Sequence, residues 1–304
     1  MTDATREIFD RFEIRKSRKQ KAAFIDWLRP VVEKSGYAMI LEKCSFGGRN
    51  IIIGNPDKAA VVFTAHYDTC AVMPFPNFIT PKNMLIYLLY QLLLAAVILL
   101  LPGLLVWLAA PLLGSFSGLA YLVLVYVLLG LMMLGPANRR TANDNTSGVT
   151  TVIDLMNAMP EQLRDKAAFI LFDLEEAGLI GSASYASRHK KEMANKLLIN
   201  FDCVSDGEQL LFVVRKKARP FAKLLERVFT SDCRVCVQIA TKGTVYPSDQ
   251  ANFPCGVGVA ALKKSRRLGI LYMDRIHTPK DTIYREENIA YLVEGSIRLM
   301  NEVG

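Results

Sequence analysis

The chain has 304 residues, 51% of them hydrophobic and 22% charged, enough for one large α/β domain or two small ones. Its formal net charge is +8, but the basic residues fall in scattered groups such as IRKSRKQK (14–21), RKKAR (215–219) and KKSRR (263–267). With no nucleic-acid motif beside them, these groups read as solvated faces or as an attraction to an anionic membrane surface, which sets nucleic acid aside as a partner. The six cysteines accompany a polar, charged N-terminal stretch without the pattern of an export signal, so a disulfide framework is not expected, and the lone CRVC at Cys233–Cys236 lacks a second pair for a structural zinc.

In chain order, apolar spacing predicts a helix over 17–34 with Phe24, Ile25, Leu28 and Val32 on one face, then strands over 38–44, 50–54 and 59–65. Between Lys82 and Arg139 no Asp, Glu, Lys or Arg occurs. This gap holds two apolar blocks joined by SFSG, each close to the roughly 20 residues that cross a bilayer. They are expected to form a two-helix transmembrane hairpin, contacting lipid through residues 84–135, rather than a buried helical pair in a soluble dimer. A hairpin returns its ends to one side, and Lys82, Arg139 and Arg140 flank it, so the positive-inside rule puts the remainder of the chain in the cytoplasm.

Beyond the gap a helix is predicted over 149–159, a strand over 166–173, a helix over 177–191, strands over 197–202 and 209–214, a helix over 220–230, strands over 235–240 and 257–261, and a last helix over 286–303. Alternating strands and helices imply a three-layer α/β/α sandwich around a mostly parallel, mixed sheet. The membrane hairpin (83–138) would then interrupt one domain, made of residues 1–82 and 139–304, rather than separate two.

Chemistry in open α/β sheets collects at the carboxyl ends of strands. There the sequence places His66 and Asp68 (TAHYDT), Asp144 (NDNTSG), the adjacent pair Glu175 and Glu176, Asp202, and, near the C-terminus, His277 (HTPKDT). Histidines with carboxylates are the donors a catalytic zinc site prefers, and two metals sharing a bridging carboxylate suit hydrolysis. Such a site also needs a proton acceptor that is not a ligand. That need explains two neighbouring glutamates: one for metal, one for the proton.

TAHYDT, NDNTSGV, EEAGLIGS, NFDCV, SDQANF and IHTPKDT, in this order, resemble the zinc aminopeptidases that include the bacterial leucyl aminopeptidases, relatives of glutamate carboxypeptidases and glutaminyl cyclases. The resemblance covers about 15–80 and 138–300. It implies two zinc ions, although the same donors accept other divalent metals. It implies His66, Asp144, Glu176, Asp202 and His277 as ligands, with Asp144 bridging and followed by a cis peptide bond. It further implies Glu175 as general base and Asp68 as the carboxylate orienting the His66 imidazole. Tyr246 is a candidate for contacting the substrate carbonyl, Gln250 stands where histidine is common, and Gly178 and Gly181 suit close packing. The expected function is a membrane-anchored zinc exopeptidase, foremost an aminopeptidase acting on peptides. The open alternatives are a carboxypeptidase, an N-acyl amino acid deacylase, a glutaminyl cyclase or, in another class, a binding protein without catalysis. The oligomeric state is not legible.

Overall fold

The computed structural model describes residues 1–73, 75 and 77–303. Eight α-helices, α1 (Asp3–Phe12), α2 (Arg18–Lys34), α3 (Met84–Leu113), α4 (Ser117–Leu134), α5 (Gly148–Ala158), α6 (Ile180–Arg188), α7 (Ala222–Val228) and α8 (Glu286–Val303), accompany one sheet among the described residues. Its strands are β1 (Met39–Lys43), β2 (Arg49–Ile53), β3 (Val61–His66), β4 (Ala167–Phe172), β5 (Leu197–Phe201), β6 (Gln209–Val214), β7 (Cys236–Ala240), β8 (Gly256–Lys264) and the short β9 (Leu271–Tyr272). The order is β1-β2-β4-β3-β5-β8-β6-β7, with β9 on β8. The centre, β4-β3-β5-β8, is parallel. The flanks turn antiparallel at β2 and at β6.

Strand periodicity divides the side chains between two faces. Val61, Phe63 and Ala65 of β3, with Phe169 and Leu171 of β4 and Ile199 and Phe201 of β5, enter the large core that also takes apolar residues of α1, α2, α5, α7 and α8. Val62, Ala168, Ile170, Phe172 and Leu198 point the other way, where they meet Tyr185 of α6 and Phe253. The entry to α2 is fixed by a capping box: Ser17 Oγ accepts from Gln20 N–H and Gln20 Oε1 accepts from Ser17 N–H. Its buried face carries Phe24, Ile25, Leu28 and Val32, as the spacing predicts.

Two elements were not legible in the sequence. In α1 the buried residues are Thr5, Ile8 and Phe12, too few to mark a stripe, and the helix is completed by Thr2 capping Thr5 N–H and by packing against α5. The two-residue β9 is held by its pairing with β8. The helix predicted over 177–191 begins only at Ile180, because residues 175–178 form a turn and Leu179 is left-handed.

The charge-free stretch forms α3 and α4, joined through Gly114–Phe116 with Gly114 at φ +53°. The two helices pack on each other, Gly103 facing Tyr121 and the turns around Ile98 facing Leu128. Within α3 only Pro102 and Val106 are buried, and within α4 nothing is. By length and composition Met84–Leu134 is apolar enough to cross a membrane. Its return segment pairs with the chain just after β3: Val72 N–H donates to Pro136 C=O and Asn138 N–H to Cys70 C=O.

Candidate metal centre

His66 closes β3 and Asp202 directly follows β5, its neighbour in the sheet. Both continue the face of Val62 and Leu198, so period 2 alone brings them side by side. Asp144 arrives from the buried turn Ala142–Ser147, whose Asp144–Asn145 peptide bond is cis. The Asn145 amide nitrogen donates to Phe201 C=O while its oxygen accepts from Gly148 N–H and Cys203 N–H, which ties that turn to the end of β5. Glu175 and Glu176 follow β4 and Asp173.

Two donor groups result. His66 Nε2 lies 3.4 Å from Asp144 Oδ1 and 3.5 Å from Asp202 Oδ1. His277 Nε2 lies 3.0 Å from Asp144 Oδ2 and 3.2 Å from Glu176 Oε2. The two oxygens of Asp144 thus face one imidazole each. His66 Nδ1 is 3.1 Å from the carbonyl oxygen of Asp68. A carbonyl only accepts, so Nδ1 carries a proton, and Nε2 is the nitrogen that faces the cluster and, once deprotonated, would offer its lone pair to a metal. Cys70 Sγ joins the second group, within 4.8 Å of donor atoms of Asp144, Glu176 and His277.

The cluster's electrostatics call for a cation. Asp144, Glu175, Glu176 and Asp202 line one cleft of about 370 Å³, and no Lys or Arg is among its described lining residues. Glu176 Oε1 and His277 Nδ1 are buried without hydrogen-bond partners. Burial, reinforced by the neighbouring carboxylates, pushes the Glu175 and Glu176 carboxyls well above their usual range. Burial would do the same to Asp144, but hydrogen bonds from His277 and His66 overcome it and hold that carboxyl low. Uncompensated, the Glu175 and Glu176 carboxyls would have to take up protons; divalent cations between the two donor groups remove that requirement. The donors present fit divalent metal.

The surrounding residues explain how the glutamates are aimed. The Asp68 carboxylate stands 3.7 Å from His66 Nδ1, but its hydrogen bonds come from the backbone N–H groups of Glu175 (3.0 Å) and Glu176 (3.2 Å). Asp281, in the quoted HTPKDT motif, accepts N–H bonds from Asn143 (2.7 Å) and Asp144 (3.0 Å). Sequence reasoning assigned Asp281 no role, and its only signal was that motif. Asp249 was missed too: it is fully buried, neither carboxylate oxygen has a hydrogen-bond partner, and burial pushes its pKa up to about 7. Of the described non-glycine residues with positive φ, Leu174, Leu179, Cys203 and His277 all sit in or next to the cluster, the placement expected where a site overrides backbone preference.

Tyr246 lines the cleft, with its hydroxyl donated to Asp202 C=O at 3.1 Å. Gln250 is absent from the described lining. It bonds Asn200 and Tyr246 C=O in a buried network that continues to Thr64. Gly178 has open space where a side chain would go and is required instead by its φ of +105°. Gly181 is the close-packed one, with Asp173 C=O where a Cβ would have to go.

The profile of peptidase family M28 matches residues 126–292, just over half of the chain, a span that includes Asp144, Glu175, Glu176, Asp202 and His277. The chain belongs to peptidase family M28. That membership makes it a metallopeptidase, a zinc-dependent hydrolase. No curated protein matches the sequence of this M28 chain. Among solved structures it is similar to the LapA aminopeptidase of Legionella pneumophila, with a TM-score of 0.58, 13% identity, and coverage of 98% of this chain and 69% of LapA. It is also similar to the glutaminyl cyclase of Porphyromonas gingivalis, with a TM-score of 0.59, 16% identity, and coverage of 98% and 95%. A Zn-dependent exopeptidase from Parabacteroides distasonis has a TM-score of 0.55, 13% identity and coverage of 97% of both chains. At these identities the likeness is one of fold, and the three-layer sandwich assigned to the M28 chain from its sequence is the fold they share.

Proposed function

We propose that the protein is a membrane-anchored exopeptidase of aminopeptidase type that hydrolyses the N-terminal peptide bond of peptides with two zinc ions. The observation that carries this reading is Asp144, whose two oxygens face the two histidines from opposite donor groups. His66 and Asp202 would hold one ion, Glu176 and His277 the other, and Asp144 would bridge. The ions would supply an activated water and polarisation of the scissile carbonyl.

The protein's own part is proton handling and orientation. Glu175, in the cleft beside His66 and Glu176 and outside both histidine–Asp144 pairings, takes the proton of the attacking water and returns it to the leaving amine. Its pKa, raised by burial, suits that return. Asp68 is a positioning residue, since one carboxylate fixes the backbone of both glutamates. The negative charge of the cleft would receive the substrate's ammonium group. With its hydroxyl on Asp202 C=O, Tyr246 contributes its ring to the cleft wall and can reach a carbonyl only by giving up that bond.

The membrane reading rests on Met84–Leu134, an exposed apolar surface far larger than soluble proteins carry. Its two packed helices, α3 and α4, form a hairpin embedded in the bilayer, and Lys82, Arg139 and Arg140 at its base favour a cytoplasmic catalytic domain. The deciding experiment is metal analysis of the protein in lipid nanodiscs, with aminoacyl reporter hydrolysis before and after chelation. Two zinc ions per chain and chelator-sensitive release of the N-terminal residue are expected. Hydrolysis of N-acyl amino acids alone, or cyclisation of N-terminal glutamine alone, would move the substrate assignment. Failure to bind zinc would end the reading.

A further inference from the structure

The catalytic cleft is not walled by the peptidase domain alone. Tyr87, Gln91 and Leu94 of α3 and Met132 of α4 stand in the same lining as His66 and Glu176. The three α3 residues are spaced by four and three, so they form one helical face. That face runs on through Ile98 to Leu101, about 15 Å along the axis from Gln91 at 1.5 Å per residue. There it lines a second cavity of about 300 Å³ with Leu128 and Leu131, apolar almost throughout. Met132 borders both spaces. Gln91 is the lone amide in a helix otherwise built of apolar and aromatic residues, and it lines the cleft that holds the carboxylates, between Tyr87 and Leu94 on the same helical face.

We propose that the cleft continues past Met132 into this cavity and accommodates an amphiphilic amide. The scissile bond and polar end lie at the histidine–carboxylate cluster, Gln91 hydrogen-bonds at the polar boundary, and a hydrocarbon chain follows the α3 face toward Leu101. This rests on the peptidase reading and narrows its substrate class. The polar cluster adjoins a continuous apolar track longer than any amino-acid side chain. A substrate held in the bilayer by its own chain would reach the cluster laterally, without leaving the apolar phase. A bilayer lipid chain that merely fills the groove is the competing occupant.

The test uses the full chain in phosphatidylcholine nanodiscs. Hydrolysis of N-methyl and N-dodecyl leucinamide is compared, together with anilides of alanine and of 2-aminotetradecanoic acid, which carry the chain on the other side of the bond. At least a tenfold preference in kcat/KM for the long chain is expected in one pair. Leu128→Trp, which fills the cavity, should reduce that long-to-short ratio by a similar factor. Comparing that ratio between Leu128→Trp and the wild type cancels any general loss and any partition into the disc. A separate readout needs no turnover: a diazirine-bearing dodecylamine should crosslink to Ile98, Leu101, Leu128 or Leu131 and be displaced by unlabelled dodecylamine. No preference in either pair, a ratio unchanged in Leu128→Trp, or labelling that dodecylamine does not displace would overturn the proposal. If no amide of any length is cleaved, the peptidase reading fails, and the displaced crosslink still decides the cavity.

Discussion

Asp68→Asn tests the idea that one carboxylate aims both glutamates. In the folded chain Asp68 accepts N–H bonds of 3.0 and 3.2 Å from Glu175 and Glu176, with His66 Nδ1 another 3.7 Å away. Hydrogen bonds to a charged group contribute about 1.5–3 kcal/mol each. Asparagine keeps one accepting oxygen and turns an NH₂ toward the other donor. The substitution therefore loses one such bond, weakens the second and sets two donors face to face, a cost of about 2–4 kcal/mol. Part of that cost appears as reduced stability and part as a glutamate pair no longer held in place, with zinc affinity lower by roughly 10–100-fold. Competition with a chromophoric chelator measures the affinity, and thermal unfolding of the zinc-stripped protein measures the stability. If Asp68→Asn binds zinc as the wild type does and melts at the same temperature, the two N–H bonds do not position the site.

Further expectations follow from the same coordinates. Glu175→Gln should retain both zinc ions while kcat falls by about 10²–10⁴-fold, whereas Glu176→Ala should lose zinc as well, measured by metal content beside reporter hydrolysis. Lys21 Nζ pairs with Asp173 Oδ1 at 2.6 Å in a buried setting, so Lys21→Met should cost about 3 kcal/mol or more in denaturant unfolding, because the carboxylate is left uncompensated. Gly181→Ala would press a methyl group on Asp173 C=O and should lower the melting temperature by several degrees. Burial raises Asp249 from 3.8 to about 7, so in the zinc-stripped protein its contribution is fully present below about pH 4 and is lost as pH rises through about 7. The loss is on the order of 4 kcal/mol. Asp249→Asn should remove that slope between pH 4 and 8, and an unchanged slope would place the titration elsewhere.

The sequence by itself determined the order of the strands and helices other than α1 and β9, the charge-free stretch, and most of the residues gathered at the cluster. Those are local properties: strand period sends His66 and Asp202 to one face, and helical spacing marks Phe24, Ile25, Leu28 and Val32. Adjacency in the chain also raised the question of Glu175 and Glu176. Its physical basis in the fold is Asp68, more than a hundred residues earlier, which reaches both N–H groups only because β3 and β4 are neighbours. The roles of Asp281 under the Asp144 turn and of Gln250 in the interior were likewise invisible, since each depends on which backbone amide or side chain comes within 3 Å. The short α1 carries too few apolar residues to announce itself, and its buried face is created by packing against α5 and against Phe24 and Trp27 of α2. The apolar stretch was plain in composition, but that Tyr87, Gln91, Leu94 and Met132 wall the carboxylate cleft was decided by tertiary structure alone. Hydropathy reports how much apolar surface a segment carries. Which part of that surface meets the site depends on how the loops at its base pair with the sheet.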